Sequence, residues 1–143
     1  MYKEEGIESA RKICEWALRG IDMTFVKEKL NLWIAYMNLE YSFGQESKFQ
    51  EIVKRALKVN EPKEIYLAMI NIYRKHGKLD IIEGIYQILI KKYSKDTEIW
   101  KSYLEFTFEI SALDDTQKSA LGPIAEPNAV LSRALQAMPA KKS

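Results

Sequence analysis

Three observations predict an all-α chain folded as a right-handed α-solenoid of antiparallel helix hairpins, with about seven helices. Apolar residues recur at i, i+3, i+4 spacing, short connections carrying Gly, Asn or Pro separate these stripes, and one helix pair returns after 33 residues. Residues 32–57 display the unit. Trp33, Tyr36, Glu40 and Phe43 share one helical stripe, Gly44 stops it, and Phe49, Ile52, Val53, Ala56 and Leu57 resume the spacing on a second helix. No such hairpin buries its apolar face alone, so stacked copies are needed to close a core.

In chain order, Ile7, Ala10, Ile13, Cys14, Ala17 and Leu18 line the face of a helix expected over residues 4–19, which Gly20 ends. A longer connection at 21–29 leads to the first full hairpin, about 28–59. The second, about 61–93, lies over the first after a shift of 33: Tyr66 stands for Trp33, Ile72 for Leu39, Gly77 for Gly44 and Ile85 for Ile52. Ser47 with Gln50, and Asp80 with Glu83, read as capping boxes, and Pro62 suits a first helical turn. A third hairpin, about 96–139, places Trp100, Tyr103 and Phe106 67 residues after Trp33, Tyr36 and Leu39. Arg133, Ala134 and Leu135 follow Arg55, Ala56 and Leu57 by 78. The surplus falls at 111–127, where Gly122, Pro123 and Pro127 indicate a loop insertion.

Glu15 to Leu18 resembles Lys54 to Leu57, so the first helix reads as the second half of a preceding hairpin. The expectation is one repeat-array fragment over 1–143. Its Ile7, Ala10, Ile13, Cys14 and Leu18 stripe would lie uncovered and favour self-association.

Composition excludes several classes. Charged residues make up 29% and apolar residues 47%, a globular balance. With 22 basic and 20 acidic side chains the net charge is +2, too little for a domain that coats nucleic acid. No apolar run suits a membrane span, and the charged start, MYKEEGIESARK, is not a signal peptide. The single cysteine, Cys14, fits a reducing compartment.

No catalytic, cofactor-binding or metal constellation emerges. His76 is the only histidine and sits beside a turn glycine; Cys14 lies on an apolar stripe; Gly44 and Gly77 are isolated helix stops. The aromatics, Trp33, Tyr36, Tyr66, Tyr86, Trp100, Tyr103 and Phe106, occupy core positions of the repeat rather than a base-stacking platform. Glu40 is a carboxylate on the packed face, and Arg55 on the partner helix is its expected counter-ion. Arg74, Lys75 and Lys78 at one turn, with Lys91, Lys92 and Lys95 at the next junction, are the candidates for contact with phosphates or an acidic partner.

Trp33, Tyr36 and Glu40, followed by Arg55, Ala56 and Pro62, form a pattern that resembles the HAT (half-a-TPR) repeat. Trp100, Tyr103, Arg133 and Pro139 echo it; the middle copy, with Tyr66, Met69 and Tyr73, is closer to a general TPR-like hairpin. The runs ARKICEWALRGI, EKLNLWIAYMNLEYSFG and VKRALKVNEPKEIYLAMINIYRKHGKLD resemble the C-terminal repeat region of the ribosomal-RNA processing factors with tandem OB-fold RNA-binding domains. The likeness covers roughly 4–110 and returns near 129–139; the 111–127 insertion departs from it, and the OB-folds lie outside this chain.

The resemblance implies a non-catalytic scaffold segment acting in precursor ribosomal-RNA processing and small-subunit assembly, in the nucleus and nucleolus. It implies proteins of the small-subunit processome as partners, weak contact with ribosomal or small nucleolar RNA, and no cofactor, metal or membrane. The rival readings are a HAT scaffold of splicing or messenger-RNA 3′-end processing, and a TPR-type peptide receptor. A receptor needs Asn and basic side chains aligned on successive first helices; Asn31, Asn38 and Asn71 lack a consistent basic partner at matching repeat positions.

Overall fold

The computed structural model describes residues 2–21, 25–119, 121 and 124–137, the side chains of residues 2–5 excepted. Within them lie eight helices and no strand: α1 (Tyr2–Gly20), α2 (Val26–Phe43), α3 (Glu46–Val59), α4 (Pro62–Lys75), α5 (Leu79–Lys92), α6 (Thr97–Ser111), α7 (Asp115–Ser119) and α8 (Pro127–Ala137). The all-α class and the hairpin connectivity read from periodicity are therefore those of the protein. The chain forms two compact units, residues 1–72 and 73–143, with the division falling inside α4.

In the first unit α2 packs antiparallel on α3 and also against α1. Trp33, Tyr36 and Met37 of α2 meet Phe49, Ile52, Val53 and Ala56 of α3 in a buried core, because residues three and four apart share a helix face. The α1 stripe divides. Ile7 is buried and Ala10, Cys14 and Leu18 are half-buried, whereas Ile13 and Trp16 are 64% and 71% exposed.

In the second unit the core is Ile82, Ile85, Tyr86, Leu89 and Ile90 of α5, with Ile99, Trp100, Tyr103, Phe106 and Ile110 of α6. Helix α8 closes on α6 through Val130 and Ala134. Tyr86 stacks on Tyr103, ring centres 5.0 Å apart, and its hydroxyl shares a 2.6 Å hydrogen bond with Ser102.

The turns show how the helices are punctuated. Gly77 has φ +71, and its N–H donates to the Arg74 carbonyl at 3.1 Å while that of Lys78 reaches the Tyr73 carbonyl at 2.9 Å. This is the Schellman closure of α4, which needs a residue free of a Cβ in the left-handed region. Pro62 opens α4 at its first position. The two expected capping boxes do not form. Helices α3 and α5 begin at Glu46 and Leu79, so Ser47 and Asp80 already lie inside the first turn, and the capping residues Gln45 and Lys78 make no side-chain cap bond. Asp80 serves there as a first-turn acid instead.

The insertion is not wholly irregular. Asp114 and Gln117 bond reciprocally, the Gln117 N–H to the Asp114 carboxylate at 2.8 Å and the Asp114 N–H to the Gln117 carbonyl oxygen at 3.1 Å, and so start α7. Leu121, Ile124 and Pro127 then enclose a cavity of about 220 Å³ with Thr107 and Ile110 of α6. The Pro139 position of the repeat signature lies outside the described residues.

Candidate functional site

Ionic side chains join the helices of the first unit at two levels one turn apart. Arg11 and Glu15 are spaced i, i+4 on α1; Tyr36 and Glu40 are spaced i, i+4 on α2. Arg11 donates to Glu40 from Nε to Oε2 at 2.6 Å and from Nη2 to Oε1 at 2.9 Å, and also contacts Glu8. Glu40 is only 1% exposed. A buried carboxylate is tolerable here because a bidentate guanidinium replaces its lost hydration. The hydrogen bond to Glu40 holds the Arg11 pKa well above its ordinary value, against the opposing effect of burial. Gly44 completes the arrangement, since a Cβ at this position would come within 2.3 Å of Glu40 Oε1 and 2.9 Å of its backbone oxygen.

At the other level Arg55 of α3 holds Glu15 with Nη1 to Oε2 at 2.6 Å and Nη2 to Oε1 at 2.9 Å. The Tyr36 hydroxyl donates to the same carboxylate at 2.7 Å, and the Arg55 guanidinium lies 5.1 Å from the centre of the Trp33 ring. The Arg55 hydrogen bond, supported by Tyr36, holds the Glu15 carboxyl at about 2 despite partial burial. Burial first, and the bond to Glu15 second, push the Tyr36 phenol upward.

The expected Glu40–Arg55 pair is thus replaced by two others, Glu40–Arg11 and Glu15–Arg55. Both draw on α1, which runs beside α2 and offers a charge at each level. Lys29, 8% exposed, is a further buried charge: its ammonium donates to the Val59 carbonyl at 2.7 Å, where the end of α3 leaves carbonyls open. Glu15, Arg11 and Lys29 escaped the repeat consensus. The signal for the first two was charge at i, i+4 spacing beside the α1 stripe of Ile7, Cys14 and Leu18.

The second unit repeats the frame with different chemistry. Gln87 of α5 stands at the repeat position of Glu15, Tyr103 at that of Tyr36, and Arg133 at that of Arg55. Gln87 donates to the Tyr103 hydroxyl at 2.7 Å and to Glu83 Oε2 at 2.8 Å, while Tyr103 donates to Glu83 Oε2 at 2.6 Å. Burial, then the bond to Glu83, push the Tyr103 phenol upward. Among the described residues Arg133 reaches the Gln87 carbonyl oxygen alone, at 3.4 Å from each terminal nitrogen. Thr107 takes the place of Glu40, buried and bonded to the Leu104 carbonyl at 2.7 Å.

Trp33 and Trp100 are both buried, as their register requires, at 5% and 4% exposure. Their coverings differ. Arg55 lies over Trp33, whereas the Trp100 Nε1–H donates to the Ser94 carbonyl at 2.6 Å and a groove of about 390 Å³ opens beside it. Ile90, Lys91, Ser94, Arg133 and Gln136 line that groove with Trp100.

Of the six basic candidates, Arg74 is committed within the second unit. Its Nη1 donates to both Glu109 oxygens, at 2.8 and 2.7 Å, and its guanidinium lies 5.9 Å from the Phe106 ring centre. Lys75, Lys78, Lys91, Lys92 and Lys95 are exposed, and Lys91 is the one that borders the Trp100 groove. Among the described residues no group of three His, Cys, Asp or Glu could hold a metal ion, and no helix is long and apolar enough to cross a membrane. Burial raises the Cys14 thiol pKa, as expected of a structural cysteine.

The geometry defines a helical-hairpin module whose ionisable side chains bind helix to helix. No protein-family model matches the chain. Over 95% of its length it is homologous to a segment of the RRP5 proteins: it is 32% identical over 136 residues to the mouse protein RRP5 homolog, 31% over 136 to the human one, and 31% over 138 to the Arabidopsis thaliana rRNA biogenesis protein RRP5. The chain spans about 7% of the length of these relatives.

Proposed function

We propose that this chain is a non-catalytic, protein-binding scaffold segment of a ribosome-biogenesis factor, acting in precursor ribosomal-RNA processing and small-subunit assembly in the nucleolus. The observation that carries the reading is the homology along 95% of the chain to proteins named for rRNA biogenesis. The internal chemistry supports it: Glu40, Glu15, Arg11 and Arg55 are consumed in joining helices, a use that builds a rigid surface. On this reading the repeats are of the HAT kind and form one array with their neighbours in the longer protein. Pre-ribosomal proteins are the principal partners, and ribosomal or small nucleolar RNA is touched weakly through the exposed lysines.

Affinity capture with the tagged chain from nuclear extract, read by mass spectrometry, tests this. Enrichment of small-subunit pre-ribosomal proteins is the expected result. Enrichment of splicing or 3′-end factors in their place would transfer the segment to another machinery.

A further inference from the structure

We propose that the groove between α5, α6 and α8 is a receptor for a glutamate or aspartate side chain of an acidic segment on a protein partner. The inference rests on the scaffold reading above and names the chemistry of one contact.

The two units supply an internal comparison. In the first, the repeat arginine Arg55 is neutralised by Glu15 at 2.6 and 2.9 Å and covers Trp33 at 5.1 Å, so the place is filled from within. In the second, Gln87 replaces that glutamate, and a neutral amide at 3.4 Å leaves the positive charge of Arg133 standing. Among the described residues no carboxylate lies within ion-pair reach of Arg133. Arg133 is exposed, and it borders the groove of about 390 Å³ together with exposed Lys91. Trp100 and Ile90, 4% and 3% exposed, form the buried floor of the groove beneath the two cations.

Two exposed cations at the rim of the groove call for an anion. A carboxylate suits this better than a phosphate. The same arginine position in this chain already takes a carboxylate in bidentate form, at Arg55 with Glu15. Lys91 adds a second charge that steers approach and loses strength with salt.

The test is a titration of the full chain with a short acetylated, amidated glutamate-rich peptide, followed by ¹H–¹⁵N NMR at the Trp100 indole N–H, assigned with Trp100→Phe. The glutamine counterpart of the peptide and a single-stranded RNA oligonucleotide are titrated in parallel. The expected result is a saturable shift with the acidic peptide only, weakened about three- to fivefold by Arg133→Gln and by Lys91→Gln, the scale of a partly exposed ion pair. Both substitutions replace exposed side chains, and an unchanged thermal melt confirms that they report on the groove. Equal binding by Arg133→Gln, or a stronger Arg133-dependent shift with RNA, would overturn the proposal. Capture of pre-ribosomal proteins by the same chain separates the two readings: its loss removes the scaffold function, whereas retained capture with no peptide shift removes only this contact.

Discussion

Arg11 of α1 holds the buried carboxylate of Glu40 on α2 in a bidentate grip at 2.6 and 2.9 Å. Removing either partner leaves the other charged and poorly solvated, which costs about 3 kcal/mol or more, while replacing both with apolar residues costs less. A double-mutant cycle on Arg11→Met and Glu40→Leu, read by urea denaturation, is expected to show strong coupling. The Glu40→Leu and Arg55→Met pair is expected to be near additive, because Arg55 spends its hydrogen bonds on Glu15.

Gly44→Ala is expected to destabilise by about 1–3 kcal/mol although its φ of −103 suits any residue. The new Cβ meets Glu40 at 2.3 Å from Oε1 and 2.9 Å from the backbone oxygen, so α2 must shift its end as well as its side chain. A melting temperature equal to that of the parent would show that no such crowding exists.

Trp33→Ala and Trp100→Ala each empty a buried core position and are expected to cost about 3–5 kcal/mol. Trp33 also sits beneath Arg55, so its loss is expected to weaken the Arg55–Glu15 pair, which a cycle with Glu15→Gln measures. For Trp100 the comparable cycle with Arg133→Gln is expected to show no coupling.

The pH dependence follows from Glu15. Its folded pKa, about 2, lies below the ordinary carboxyl value of 4.5, so the proton binds the unfolded chain more readily. The stabilisation is therefore complete above about pH 4.5 and lost as pH falls toward 2. Glu15→Gln is expected to flatten the acid limb of the stability curve between those values. An acid limb identical to the parent's would remove the Arg55–Glu15 pair from the energetics.

Binding of RNA to the isolated chain is expected to stay at non-specific strength, about 10⁻⁴–10⁻⁶ M at physiological salt, and to fall steeply as salt rises. The exposed lysines Lys75, Lys78, Lys91, Lys92 and Lys95 are expected to contribute through counterion release. A precursor ribosomal-RNA fragment and an unrelated RNA of equal length, titrated at two salt concentrations, check this. Tight, salt-resistant binding to the first alone would make the repeats themselves an RNA reader.

The hairpins were legible because a helix declares its buried face every three to four residues, and the repeat at 33 aligned Trp33 with Tyr66 and Gly44 with Gly77. The five-residue α7 was not, because it buries no apolar residue and so leaves no stripe to count. Its signal was the Asp114–Gln117 spacing, a capping box inside a segment otherwise rich in turn residues.

Sequence periodicity alone established the all-α class, the run of hairpins, the core roles of Trp33, Trp100, Tyr36 and Tyr103, and the turn at Gly77. Those properties are local, set by which face of a helix is apolar and by which residues tolerate a given backbone angle. The partners of the charged residues were decided only in three dimensions. Arg11 lies 29 residues from Glu40, and Arg55 lies 40 from Glu15. An ion pair depends on the distance between two side chains after packing, and no spacing along one helix specifies which neighbour will be within reach across the next.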